Sequence, residues 1–344
     1  MTSGQSHSYP INATAGQYIQ AIVEQRGIDV GLAMFAPDGK KLIEVDHIYG
    51  TERSESASII AAAAGAYRLE VRANAKGTAS GRYEARIEQM RAPGAQDRSL
   101  IRAQTVFAEG EQLRSQGGAK SLQNAIGKYE EALAAYRASG ERYGEACTLY
   151  SLGASYDALG EMQNALDFYD QVLPRFQAIG DRYREAHTLL GRGWAYASVS
   201  EMPKALADSL QALQAMREVG DPTGEASTLN VLGVIHGMMG ERQKSLDCYQ
   251  QGMRRHHALG NKASEAYALT NIGEAYRFMG DTRKALGYES QALQLARTTG
   301  NRKAVAYILG CLGGIYNFLG EHQNALAFYR QALHLSRVVD DLRG

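Results

Sequence analysis

The 344-residue chain is poor in the features that announce most kinds of chemistry. It has three cysteines, Cys147, Cys248 and Cys311, widely spaced and odd in number, which excludes a disulfide framework and a clustered zinc motif. Neither charge is in excess: 37 basic residues balance 37 acidic ones, and residues 1–96 hold ten of each. A nucleic-acid or anionic-membrane binder that works through bulk charge is therefore not expected. Long apolar runs are missing, the best being Ile59 to Tyr67, far too short to span a bilayer. The N-terminal Met-Thr-Ser-Gly-Gln-Ser-His has neither the charged start nor the apolar core of a signal peptide, so a cytoplasmic location is expected. Also missing are G-x-S-x-G, H-E-x-x-H, a Walker A loop and a strand–glycine–helix fingerprint. No catalytic residue, cofactor or metal site is expected.

What is present falls into two halves of different period. In residues 1–90, Ile19, Ala21 and Val23 alternate with polar neighbours, as do Tyr67, Leu69 and Val71, then Tyr83, Ala85 and Ile87. Period two sets one face of a strand on a core and the other in water. Pro37-Asp38-Gly39 supplies a tight turn between two such runs, because Gly can take the positive φ that closes a hairpin. About seven short strands at this spacing predict a small antiparallel β-sandwich. Residues 91–97 read as a linker.

From residue 98 a spacing of forty takes over. Glycines stand at 140, 180, 220, 260 and 300, and again at 153, 193, 233, 273 and 313. A third column reads Gly160, Ser200, Gly240, Gly280 and Gly320, and a fourth reads Ala165, Ala205, Ser245, Ala285 and Ala325. Such self-similarity marks a solenoid. Ala146, Leu149, Leu152, Gly153, Tyr156 and Leu159 follow helical spacing, and so do Ala165, Leu166, Tyr169, Val172, Leu173 and Phe176. Each unit is thus a helical hairpin: Gly180-Asp181 ends one helix and caps the next, and Gly220-Asp221, Gly260-Asn261 and Gly300-Asn301 repeat that punctuation. One hairpin cannot bury both its faces, so neighbours must stack.

Leu152-Gly153-x-x-Tyr156 followed by Ala165 and Tyr169 resembles the tetratricopeptide repeat (TPR) in a 40-residue form similar to the repeats of kinesin light chains. The resemblance implies a mostly α chain: a right-handed TPR superhelix preceded by the β-sandwich. A degenerate hairpin at 98–139, five clean hairpins at 140–339 and an uncapped tail at 340–344 are expected. The segments 23–30, 37–45, 65–72 and 81–88 look like the β module that precedes TPR arrays in bacterial TPR–CHAT proteins, whose caspase-like protease domain is not in this sequence. That narrower resemblance implies a sensor or scaffold portion, not a protease.

In TPR proteins the first helix of each hairpin lines a concave groove that takes a peptide or partner domain. With the glycine at 153 and its equivalents as register, the candidate groove residues are Tyr150, Asp157, Trp194, Asn230, Asn271, Glu274, Arg277, Phe278, Asn317 and Phe318. Asn230 and Asn271 suit an extended peptide backbone, and Arg277 suits a carboxylate. Trp194 reads either as an interface anchor or as filler between hairpins. Glu274 and Arg277 read either as ligand contacts or as an i, i+3 ion pair within one helix. His256-His257 cannot share an ion, because adjacent helical residues point about 100° apart, and a solvated face is expected for both. The three cysteines are expected as small core hydrophobes.

The last helix has no evident cap. Its Leu326, Phe328, Tyr329 and Leu333 form a candidate open face, to be covered by a partner, by a homodimer contact or by further chain. The function expected is therefore a non-enzymatic protein-interaction scaffold without nucleic-acid or membrane partners. The resemblance adds regulation of a caspase-like protease. The rival reading is carbohydrate or cell-surface binding by the β-sandwich, with Tyr9, Tyr18, Tyr49 and Tyr67 as stacking faces.

Overall fold

The computed structural model describes residues 1–2, 4–45, 54–73 and 81–341. The chain divides into two units, Met1–Ile179 and Gly180–Gly344.

The first unit opens with seven strands: β1 (Ser6–Ala13), β2 (Tyr18–Arg26), β3 (Val30–Phe35), β4 (Lys41–Val45), β5 (Ser54–Ile60), β6 (Gly65–Ala73) and β7 (Arg82–Arg91). They form two antiparallel sheets, ordered β1-β6-β3-β4 and β5-β2-β7. The alternation read from sequence fills the space between them: Ile19, Ala21 and Val23 of one sheet meet Leu32, Met34, Tyr67, Leu69 and Val71 of the other in one core. The β3–β4 hairpin closes as expected, with Gly39 at φ 86° and the Asp38 carboxylate accepting the Lys40 N–H at 2.9 Å. Tyr18 and Tyr67, offered above as stacking faces, are buried, and Tyr49 lies outside the described residues. Tyr67 points into the inter-sheet core with Leu69 and Val71, whereas Tyr18 lies on the other face of β2, covered by Arg91 and hydrogen-bonded to Ser58 at 3.0 Å, so the glycan reading loses two of its four rings.

Four helices complete this unit: α1 (Ala95–Gln116), α2 (Ala119–Ser139), α3 (Arg142–Leu159) and α4 (Met162–Ile179). The expected linker is shorter than 91–97, because β7 runs through Arg91 and α1 already begins at Ala95. Asp97 accounts for the early start. Its carboxylate accepts the Gly94 N–H at 2.6 Å and a forked pair from Arg91 at 2.6 and 2.9 Å, which satisfies the helix entry. The helix then docks on the edge strand β5 through one side chain. Gln104 donates to the Ser56 carbonyl at 3.1 Å and accepts from the Ser58 N–H at 3.2 Å, standing in for a neighbouring strand. Between β4 and α1 lies a cleft of about 610 Å³.

The second unit is four hairpins: α5 (Arg182–Ser198) with α6 (Met202–Glu218), α7 (Pro222–Met238) with α8 (Arg242–Ala258), α9 (Lys262–Phe278) with α10 (Thr282–Thr298), and α11 (Arg302–Phe318) with α12 (His322–Asp341). Each first helix is capped at the residue expected: Asp181 accepts from the Arg184 N–H, Asp221 from Gly224, Asn261 from Ser264 and Asn301 from Ala304. Each such cap is worth about 1 kcal/mol. Helix exits use positive φ at Gly240, Gly280 and Gly320, and at the same column Ser200 is forced to φ 65°. That cost is one glycine would avoid. Of the tail expected at 340–344, residues 342–344 lie outside the described residues and the two before them extend α12. Among the described residues, no helix is long and apolar enough to cross a membrane.

Candidate functional site

The glycine column sets how close the two helices of a hairpin come. A Cβ at Gly153, Gly233 or Gly313 would sit 2.9 Å or less from the ring of Tyr169, Tyr249 or Tyr329 respectively. The ring therefore lies flat on the glycine, and the first helix is free to present its other residues away from that contact. In the first unit the two candidates fare differently. Tyr150 is committed to the core, its ring centroid 6.2 Å from that of Tyr169 and 6.4 Å from Phe176. Asp157 is half-buried on the last turn of α3.

In the second unit, α5, α7 and α9 enclose a cleft of about 390 Å³. Trp194, Val231, Val234 and Tyr267 wall it, with Asn230, His256, Ser227 and Ser264 beside them. Trp194 is half-buried in that wall. Asn230 does not present its amide as a free peptide clamp. Its Nδ2 lies 3.2 Å from His256 Nε2, and a Cβ on Gly252 would fall 2.6 Å from its Oδ1, so the amide is turned into the hairpin. Asn271 is buried one helical turn beyond Tyr267 on α9, and its Nδ2 has no partner.

His256 overturns the expectation of a solvated histidine pair. It is 1% exposed, whereas His257 points outward and meets Glu265 at 2.8 Å. Burial lowers the His256 pKa, keeping the ring neutral as the acceptor for Asn230. The repeat contains the signal that would have found it. Tyr136, Phe176, Met216 and Ala296 stand at the same column and all are buried.

Two ionic networks occupy equivalent places in the two units. In the first, Gly110 faces Tyr129 as Gly153 faces Tyr169, so Glu111 and Arg114 are one and four residues past the contact glycine. Arg114 donates to Glu111 at 2.6 Å, Tyr129 donates to it at 2.7 Å and Ser151 at 2.9 Å. Desolvation opposes the charge on Glu111, but Arg114 and these donors outweigh it and lower the pKa. In the second, Glu274 and Arg277 hold the same two positions after Gly273. They form the intrahelical pair foreseen as one reading, at 2.7 Å, and the guanidinium also lies 4.4 Å from the Phe278 ring centroid.

Around that pair the register is broken. Glu289 replaces the tyrosine of the column and Cys311 stands where the first network has Ser151. Glu289 is fully buried and neither carboxylate oxygen has a hydrogen-bond partner. Desolvation, then the charge of Glu274, push its pKa up to about 8. Thr270, whose hydroxyl donates to the Ala266 carbonyl at 3.2 Å, and Arg277 lower it by less than these two raise it. Cys311 is not the simple core hydrophobe expected: it is half-buried next to two carboxylates, and burial followed by their charge pushes the thiol up to about 12.

The remaining candidates sit at the hairpin ends. Phe278 and Phe318 are 60% and 66% exposed beside the exposed Met279 and Leu319, and Met238 and Met239 are exposed at the corresponding exit of α7. Asn317 is exposed, its Oδ1 3.2 Å from His322 Nδ1. On α12, Leu326, Tyr329 and Leu333 are 49%, 42% and 53% exposed, although the equivalent Leu166, Tyr169 and Leu173 are buried. Phe328 does not join that face. Two residues on from Leu326 it points away, and it stacks on Tyr316 at 5.3 Å and 11°, as Phe168 stacks on Tyr156.

Among solved structures the chain is similar to a Rap protein complexed with competence and sporulation factor, at 14% identity over 71% of this chain and 77% of that one, with a TM-score of 0.57. Aspartyl phosphate phosphatase F from Bacillus subtilis is similar at 13% identity over 70% and 72%, TM-score 0.57. A signal-transduction ATPase with a tetratricopeptide repeat sensor, from Pyrococcus horikoshii, is similar at 17% over 73% of this chain and 40% of that one, TM-score 0.52. At these identities the likeness is one of fold. No curated protein matches the chain. Tetratricopeptide repeat profiles match residues 118–178, 144–218, 225–298 and 306–338. With six helical hairpins following the sheets and that match covering more than half its length, the chain belongs to the tetratricopeptide repeat family.

Proposed function

We propose that the chain is an interaction scaffold that captures a peptide or partner segment in the cleft between α5, α7 and α9. The observation that carries this reading is the wall of that cleft, where Trp194 and Tyr267 from two different hairpins enclose about 390 Å³ beside Val231 and Val234. A space of that size takes one large apolar side chain, and aromatic walls of low conformational entropy are where binding energy concentrates. Arg277 and Phe278 form a second contact region on α9, suited to an acidic or aromatic residue of the same segment. The Rap structure contains a bound factor, which accords with capture by this kind of fold. Regulation of a caspase-like protease by such capture rests on the sequence resemblance alone. Its test is the activity of a protease encoded beside this chain, measured with and without it.

The cleft is tested by affinity capture with the intact chain against a Trp194→Ala, Arg277→Ala variant whose fold is checked by circular dichroism. A partner held by the first and lost by the second supports the reading. Equal capture by both removes it. A second copy of the chain on Leu326, Tyr329 and Leu333 is the other contact proposed. Sedimentation of the intact chain beside Leu333→Glu distinguishes a dimer from a monomer.

A further inference from the structure

Ligand atoms of Glu274, Glu289 and Cys311 all lie within 4.8 Å of one another, brought together from α9, α10 and α11. None of the three is near another in sequence, and the convergence depends on how two successive hairpins stack. A metal ion bonded at about 2.0–2.3 Å to two carboxylates and a thiolate needs its ligands about this close, with only small side-chain rotations. Glu289 adds an independent pointer. It is completely buried, it is directed at the other two groups, and both its oxygens lack a partner. Buried polar atoms are almost always satisfied, and a carboxyl left without donors costs several kcal/mol, on the order of a desolvated polar group.

We propose that Glu274, Glu289 and Cys311 bind one divalent transition-metal ion of the zinc class. A thiolate in the set selects against magnesium and calcium, which take oxygen ligands only. Charge supports the assignment. Two carboxylates and a thiolate, with the Arg277 guanidinium already on Glu274, need a dication to reach neutrality; without one, the site is neutral only if Glu289 and Cys311 keep their protons. Binding therefore exchanges two protons, one from the Glu289 carboxyl and one from the Cys311 thiol, for the metal, with no change of oxidation state. Three protein ligands leave a fourth position for water or for a group on a captured segment. The first unit makes the contrast plain. At the corresponding places Tyr129 and Ser151 donate protons to a carboxylate, where the second unit has a carboxyl and a thiol.

The test uses the full chain and two probes, Co²⁺ for its spectrum and Zn²⁺ as competitor. One Co²⁺ should bind per chain with the near-ultraviolet band of a thiolate–cobalt bond, Zn²⁺ should displace it, and excess Mg²⁺ should not. Cys311→Ser should abolish the band. Glu289→Gln should weaken Co²⁺ by at least about tenfold. A Cys147→Ser, Cys248→Ser variant should behave as the intact chain. Folding is controlled by Glu289→Tyr and Cys311→Ser, which place at these positions the residues found at Tyr249 and Ser151 in other hairpins. Absence of stoichiometric Co²⁺ binding by the intact chain overturns the proposal. So does a thiolate band that survives Cys311→Ser, or affinity unchanged in a folded Glu289→Tyr.

Discussion

Glu111 and Glu274 occupy the same position of two hairpins, and each has an arginine three residues on, yet their surroundings have opposite consequences. Around Glu111 a tyrosine and a serine donate their protons, the carboxylate is stabilised and its pKa falls. Around Glu274 the tyrosine has become Glu289 and the serine Cys311; a second carboxyl is buried without donors and its pKa rises to about 8. A repeat keeps its backbone because the glycine and alanine columns hold, while two side-chain differences set a satisfied ionic network apart from a cluster of two carboxyls and a thiol within 4.8 Å of one another.

The sharpest difference is in pH dependence. Glu289 has a folded pKa above its unfolded value of about 4.5, so its contribution to stability is complete below that value and is lost as pH rises through 8. In EDTA, which keeps the cluster metal-free, a shift of this size should cost the second unit on the order of 4 kcal/mol between about pH 5 and 9. Glu289→Gln should flatten the profile. Trp194, the chain's one tryptophan, lies in this unit and reports its unfolding by fluorescence. Parallel profiles for the intact chain and Glu289→Gln would end the comparison.

Transplanting the first network should follow in size. Glu289→Tyr with Cys311→Ser ought to stabilise the second unit by about 2 kcal/mol near neutral pH, since it replaces a buried carboxyl by a donor over Gly273. Urea denaturation followed at Trp194 gives the number. A loss of stability would mean that the hairpins differ in more than these two side chains.

Glu111→Gln tests the other side and should cost about 1–2 kcal/mol at neutral pH by leaving Arg114 without its countercharge. Because the folded pKa of Glu111 is lowered, its contribution is present above the unfolded value and is lost as pH falls through the folded one. The variant should therefore converge with the intact chain in acid, as followed by far-ultraviolet circular dichroism. Smallest of all, Ser200→Gly relieves a positive φ outside both networks and should add roughly 0.5–1 kcal/mol. It calibrates the unfolding measurement, since it should move the midpoint equally at every pH.

Much of the architecture was legible because the repeat writes packing into fixed columns. The caps at Asp181, Asp221, Asn261 and Asn301 were readable from glycine followed by a short polar side chain, and the β3–β4 turn from Pro37-Asp38-Gly39. The start of α1 was misplaced because Asp97 reaches back to Gly94 and Arg91, a contact no periodicity encodes. His256 was read as solvated from its neighbour His257, although its column, with Phe176 and Met216, marks a buried position. Glu289 carries no local motif either; it stands out only against its column, which holds tyrosine at 129, 169, 249 and 329 and serine at 209.

The sequence by itself determined the strands, the hairpins and their spacing, since each follows from local pattern: period two, helical period, glycine exits and polar caps. Which side chains meet across hairpins was decided only by the tertiary structure. The grouping of Trp194 with Tyr267, and of Glu274 with Glu289 and Cys311, depends on the stacking of helices whose residues are tens of positions apart. Local caps and glycine exits fix where the helices of the second unit begin and end; the distance between neighbouring helices is set by the volumes packed between them.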